Sequence, residues 1–151
     1  MTSPVIWLFV SYETDTGLAY AKLAKARFRV AGLNAWVWHE DRTIGEYTHE
    51  EIADKINEYN HFVYICTDGS HESEGQKFER GVALALKVDP LVIALAGARV
   101  SPVLANRNRT PTRPAHFEDA CAEVATEIHR REQALVGDAT VKQEGQPLEP
   151  A

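Results

Sequence analysis

The segment 67–86, TDGSHESEGQKFERGVALAL, carries the carboxylate whose spacing suggests chemistry. Ser73 and Gln76 are spaced to cap a helix over 73–87, and Glu79 lies about two turns inside it. Helical spacing sets Glu79 beside Val82, Ala83 and Leu86, at the edge of an apolar stripe formed by Phe78, Val82, Ala85 and Leu86. A carboxylate there, turned toward the ligand edge of a sheet, is partly desolvated, which makes it a candidate for a functional role. The same residue, flanked by Lys77 and Arg80, also reads as a surface glutamate. The pattern leaves both readings open.

Other chemistries lack their residues. No GxGxxG and no P-loop is present, so neither a dinucleotide fold nor an NTPase phosphate cradle is indicated. The six histidines are scattered without an HExxH pair, and no metal site is expected. A phosphoacceptor domain needs acids after its first strand, where this chain has Ser11 and Tyr12. The stretch 99–113 holds Arg99, Arg107, Arg109 and Arg113 without an acid. No aromatic residues interleave them, so it reads as a solvated loop rather than a nucleic-acid contact. The Asn108-Arg109-Thr110 sequon carries no weight in a chain expected in the cytoplasm.

The 151 residues amount to one domain, and 44% hydrophobic with 25% charged residues is ordinary for a globular chain. A net charge of −6 argues against nucleic-acid binding by bulk charge. No apolar run approaches the roughly 20 residues of a membrane span. No basic stretch precedes the first apolar segment, so no secretory signal is expected. Cys66 and Cys121 form no CxxC and sit in apolar surroundings, which predicts buried thiols.

The elements alternate. Residues 5–10 (VIWLFV), 35–38, 61–66 (HFVYIC) and 91–96 (LVIALA) read as strands, the apolar runs as strands buried on both faces. A short edge strand is expected near 100–104. A helix over 18–31 presents Ala21, Ala24, Phe28 and Ala31 on one face and ends at Gly32. A loop at 39–47 follows the second strand. Thr48 and Glu51 have capping-box spacing, and Ile52, Ile56 and Tyr59 share a face behind them. Phe117, Cys121, Val124 and Ile128 mark a last helix. The expected organisation is one domain over 1–136 and a disordered tail over 137–151. The expected fold is α/β: a single flavodoxin-like domain with an open parallel sheet of four to five strands and helices on both faces. Ligands of such sheets bind beyond the carboxyl ends of the strands, here Ser11 and Tyr12 and the segments 39–42, 67–70 and 97–99.

In order and spacing the chain resembles a TIR (Toll/interleukin-1 receptor) domain of the prokaryotic kind. Phe9-Val10-Ser11-Tyr12 is similar to the family's F-[IVL]-S-Y box. Phe28 and Gly32 followed by Val37-Trp38, then Asp41, Ile44-Gly45-Glu46, Ile52 and Ile56, resemble its next strand, loop and helix. Ser73 and Glu79 have its S-x(5)-E spacing, which implies that Glu79 is the catalytic glutamate. The Trp-Cys pair that members often carry between that serine and glutamate is replaced by Gly75-Gln76. Trp38, Tyr12 and Tyr47 are the aromatic residues available to replace that tryptophan. Glu79 to Ala83 with Pro90 also resembles nucleoside 2-deoxyribosyltransferases, fold relatives that use a glutamate at a sugar C1′.

The resemblance implies cleavage of the nicotinamide–ribose bond of NAD, to ADP-ribose or a cyclic isomer, in antiphage defence or immune signalling of a Thoeris-like kind. NAD would be the substrate and no cofactor is needed. The implied substrate-binding set is Ser11, Tyr12, Trp38, Asp41 and Ser73. Ile44, Gly45 and Tyr47 occupy the loop through which such domains self-associate, and a separate effector protein would respond to the product. A non-enzymatic adaptor and a deoxyribosyltransferase-like enzyme are the alternatives.

Overall fold

The computed structural model describes residues 5–45, 48–104 and 109–145, with side chains as far as 137. Five parallel strands form one sheet: β1 (Ile6–Ser11), β2 (Leu33–Trp36), β3 (Phe62–Cys66), β4 (Pro90–Leu95) and β5 (Arg109–Thr112). Their order is β2-β1-β3-β4-β5, the doubly wound order expected. Between them run α1 (Thr14–Val30), the single turn α2 (Trp38–Asp41), α3 (Thr48–Tyr59) and α4 (Glu74–Ala85), with α5 (Phe117–Gly145) last.

Strand alternation sends side chains to two cores. Leu8 and Val10 of β1 and Ile65 of β3 join Phe28 of α1 and Phe117, Cys121 and Ile128 of α5 on one face. Phe9 of β1 and Tyr64 of β3 join Ile52 and Ile56 of α3 and Ala83 of α4 on the other. Ser11 has the parity of Phe9, so the last residue of β1 points toward α3 and α4. That parity places the site.

Three local expectations are corrected. The edge strand is β5 rather than 100–104. Leu104 is instead fully buried in the core under α4, while the edge strand proper reads RTPT and carries no apolar run. Glu51 does not close a capping box with Thr48. Thr48 is itself helical, and Glu51 accepts 2.8 Å from the Thr43 amide, tying the preceding loop to α3. On α4 the inward residues are Gln76, Glu79 and Ala83, whereas Leu86 is 42% exposed. The helix is rotated so that its polar residues meet the strand ends.

α5 continues to Gly145, through part of the segment expected to be disordered. No proline interrupts it before position 147, and 139–143 contain helix-favouring Ala, Lys and Gln. Both cysteines are buried free thiols. None of the helices described is long and apolar enough to cross a membrane.

Candidate active site

α4 begins where β3 ends. The Ser73 hydroxyl accepts from the Gln76 amide at 3.1 Å and starts the helix, as its spacing predicts. Gln76 is fully buried and donates from Nε2 to the Ile65 carbonyl at 3.0 Å, pinning the first turn of α4 to β3. One turn on, Glu79 faces the end of β1. The hydroxyl of Ser11, itself fully buried, donates to Glu79 Oε1 at 2.8 Å.

Glu79 is 8% exposed. Burial pushes its carboxyl up to about 8, and the hydrogen bond from Ser11 pulls only partly back. Burial thus favours the neutral carboxyl, which at a pKa of about 8 is the main form at pH 7.

A cavity of about 220 Å³ opens over Glu79. Tyr12, Glu13, Thr14, Trp38, His39, Thr48, His49, Ile52, Ser73, Gly75 and Phe78 complete its lining. Its walls come from four segments: the turn after β1, the turn α2, the start of α3 and the start of α4. Among the described residues no lysine or arginine lines it. Its lining is therefore mixed, with aromatic rings beside hydroxyl, imidazole and carboxyl groups.

The wall nearest β1 is held by a hydrogen-bonded pair. The Tyr12 hydroxyl accepts from the His39 amide at 3.0 Å and also bonds His39 Nδ1. Burial pushes the Tyr12 phenol up to about 12, while the His39 amide pulls it down. It stays neutral, with a proton that can be shared with Nδ1. Trp38 packs edge-on against His39, with ring centroids 4.8 Å apart. On the far wall His49 of α3 stacks on Phe78 of α4 at 4.4 Å and 30°.

The expected set divides. Tyr12, Trp38, Ser73 and Glu79 meet at the cavity. Ser11 lies beneath Glu79 and does not line the cavity, so its contact is with the carboxyl rather than with a ligand. Asp41 is not brought there. It accepts from Lys25 Nζ at 2.7 Å and from the Val37 amide at 2.8 Å, because closing α2 turns it back toward α1. Ile44 is 93% exposed and Gly45 has φ +94°, at the tip of the loop after α2. Tyr47 lies outside the described residues. His49 and Phe78 are additions, while His39 comes from the strand-end segment 39–42. Phe78 adjoins Glu79 and His49 adjoins Thr48, but no local pattern distinguishes a wall residue from a core residue.

The start of α1 is a backbone site that an anion could take. The carboxylate of Glu13 fills it from within, accepting from the amides of Asp15 at 3.1 Å and Thr16 at 2.7 Å. Among the described residues no three His, Cys, Asp or Glu side chains are grouped to hold a metal ion.

No family model matches the chain, and no curated protein matches it. Solved structures do. The chain is similar to a metazoan TIR-STING receptor from C. gigas, solved in complex with 2′,3′-cGAMP, with 18% identity and a TM-score of 0.65. That match covers 83% of this chain and 41% of the receptor, so the chain spans about two fifths of that protein. The TIR domain of the Toll-related receptor TRR-2 from Hydra magnipapillata matches with 14% identity and a TM-score of 0.62, over 83% of this chain and 95% of that one. A diflavin flavoprotein A3 from Nostoc sp. matches with 13% identity and a TM-score of 0.55, over 89% and 99%. The chain has the TIR-domain, flavodoxin-like fold.

Proposed function

We propose that this chain is a TIR-family enzyme that cleaves the nicotinamide–ribose bond of NAD, releasing nicotinamide and ADP-ribose or a cyclic isomer. The observation that carries the reading is a buried glutamate, held by Ser11, at the floor of an aromatic cavity beyond the strand ends. The chemistry suits a single carboxylate. Nicotinamide in NAD is already cationic, so when the C1′–N bond breaks the electron pair goes to the ring nitrogen. The base leaves neutral without needing a proton. What remains is an oxocarbenium-like ribosyl cation, and one negative oxygen beside C1′ stabilises it.

Burial of Glu79 contributes to this step. A cationic pyridinium in the cavity favours the ionised carboxyl, so binding expels the proton that the empty site retains. The charge then meets the transition state in a low-dielectric, water-poor setting where it acts strongly. Water at C1′ gives ADP-ribose, and a nitrogen of the same molecule's adenine gives a cyclic product. The aromatic walls supply the stacking surface for which the family uses a tryptophan, here replaced by Gly75. Self-association through the loop carrying Ile44 and Gly45, a product-sensing effector and a role in antiphage defence or immune signalling belong to the same proposal.

Purified protein incubated with NAD tests it. Nicotinamide release by wild type and its loss in Glu79→Gln are the expected results. A deoxynucleoside with a free base, run in parallel, detects base exchange instead. Inactivity toward both, even with the protein concentrated or assembled, transfers the reading to an adaptor.

A further inference from the structure

The cavity suits one end of a dinucleotide. At about 220 Å³ it falls below the roughly 300–1,000 Å³ of pockets that enclose a drug-sized ligand. Its lining includes the carboxyl groups of Glu13 and Glu79 and, among the described residues, no lysine or arginine. A dianionic diphosphate meets two carboxyl groups there and no permanent cation among the described residues, which favours placing the anionic half outside, against a cation at the rim.

Arg42 is placed for that. Its guanidinium carbon lies 4.2 Å from the centroid of the Trp38 ring, and Trp38 is a cavity wall. The backbone amide of Arg42 donates to the Trp38 carbonyl at 3.2 Å, fixing the two residues together at the end of α2. The two acids preceding it are already taken. Lys25 pairs with Asp41 at 2.7 Å and with Glu40 at 3.2 Å. Arg42 itself is exposed and has no carboxylate partner among the described residues. A planar guanidinium spread on an indole face keeps its N–H edge free, and that edge matches two phosphate oxygens.

We propose that Arg42 is a specificity-determining residue that binds the diphosphate of the substrate, so that the site selects a dinucleotide over its nucleoside fragment. The inference rests on the proposed NAD-cleaving function and names how that site reads the anionic half. Trp38 links the two halves of the contact, one side facing the cavity and its ring carrying the cation.

The experiment compares NAD with nicotinamide riboside, which has the scissile bond and no phosphate. Nicotinamide release is measured for wild type, Arg42→Ala and Arg42→Lys. Wild type is expected to favour NAD. In Arg42→Ala the ratio of kcat/KM for NAD over the riboside should shrink about tenfold or more, through KM for NAD. Arg42→Lys should recover part of the ratio, since charge returns without the flat fork. An unchanged ratio with an active wild type overturns the inference and leaves the proposed function standing. Equal impairment on both substrates also overturns it, because Arg42 would then act only by holding Trp38. A wild type that cleaves neither substrate removes the proposed function and this inference together.

Discussion

Ser11 and Glu79 stand 68 positions apart, yet the hydroxyl of one donates to the carboxyl of the other at 2.8 Å in the buried interior. The pair joins the end of β1 to the first turns of α4 and fixes the carboxyl at the cavity floor. It also sets the balance between the two charge states of Glu79, because the bond from Ser11 favours the ionised form that burial opposes.

Glu79→Gln keeps the shape and removes the charge. Nicotinamide release should fall roughly 100-fold or more, the equivalent of about 3 kcal/mol of transition-state stabilisation. An equal rate in the variant would remove Glu79 from the chemistry.

The same substitution should change how stability depends on pH. The carboxyl has a folded pKa of about 8 against an ordinary 4.5. Its neutral form is the one the fold accommodates, so its contribution is complete below pH 4.5 and is lost as pH rises through 8. Wild type should lose stability over that window, and Glu79→Gln should lose less. Melting curves at pH 5 and pH 8.5 should show the variant ahead by roughly 5 °C at the higher pH only. Parallel curves for the two proteins would contradict the burial of an ionisable group at this position.

Ser11→Ala removes the hydrogen bond that lowers the Glu79 pKa. The acid limb of the kcat/KM profile should move to higher pH, leaving activity reduced at pH 7 and largely restored at pH 9. Stability should drop by about 1 kcal/mol for the lost bond, measured by urea unfolding. A uniform loss of rate at every pH would show that Ser11 acts otherwise.

Asp41→Ala should act through structure. The substitution deprives Lys25 and the Val37 amide of an acceptor, and about 1–2 kcal/mol of stability should be lost. Because α2 carries Trp38 and His39, KM should rise with the loosened turn even though Asp41 does not line the cavity. A variant with normal stability would show that the ion pair contributes nothing.

Gly45 has φ +94°, and proline is confined near −65°. Gly45→Pro should reshape the loop tip beside the exposed Ile44 while the domain still folds. If activity needs copies of the chain to associate through this loop, the variant should be monomeric by light scattering and inactive at any concentration. A monomeric, fully active variant would separate the loop from catalysis.

Much of this was legible in the residues, and the failures share one physical origin. Unbroken apolar runs identify β1, β3 and β4 because a strand covered on both faces has no polar side to show. Ser73 is readable as a cap because its partner, Gln76, lies three residues away. β5 is not readable, since an edge strand needs no apolar run and Arg109-Thr110-Pro111-Thr112 looks like a loop. The rotation of α4 was also hidden. Apolar spacing favours Leu86 inward, but the sheet end requires Gln76 and Glu79 there. The two-sided walls Tyr12–His39 and His49–Phe78 are long-range pairings, which the chain order does not reveal.

The polarity of β5 sets a limit on growth. Thr112 turns its carbonyl inward to the Ala96 amide at 2.8 Å, so strand alternation turns the backbone of its neighbour Pro111 outward. The outermost row of the sheet therefore presents a nitrogen with no hydrogen to give, beside the exposed charge of Arg109. A strand adding to that border would forgo the hydrogen bond that Pro111 cannot donate, so this margin is a poor template for extending the sheet.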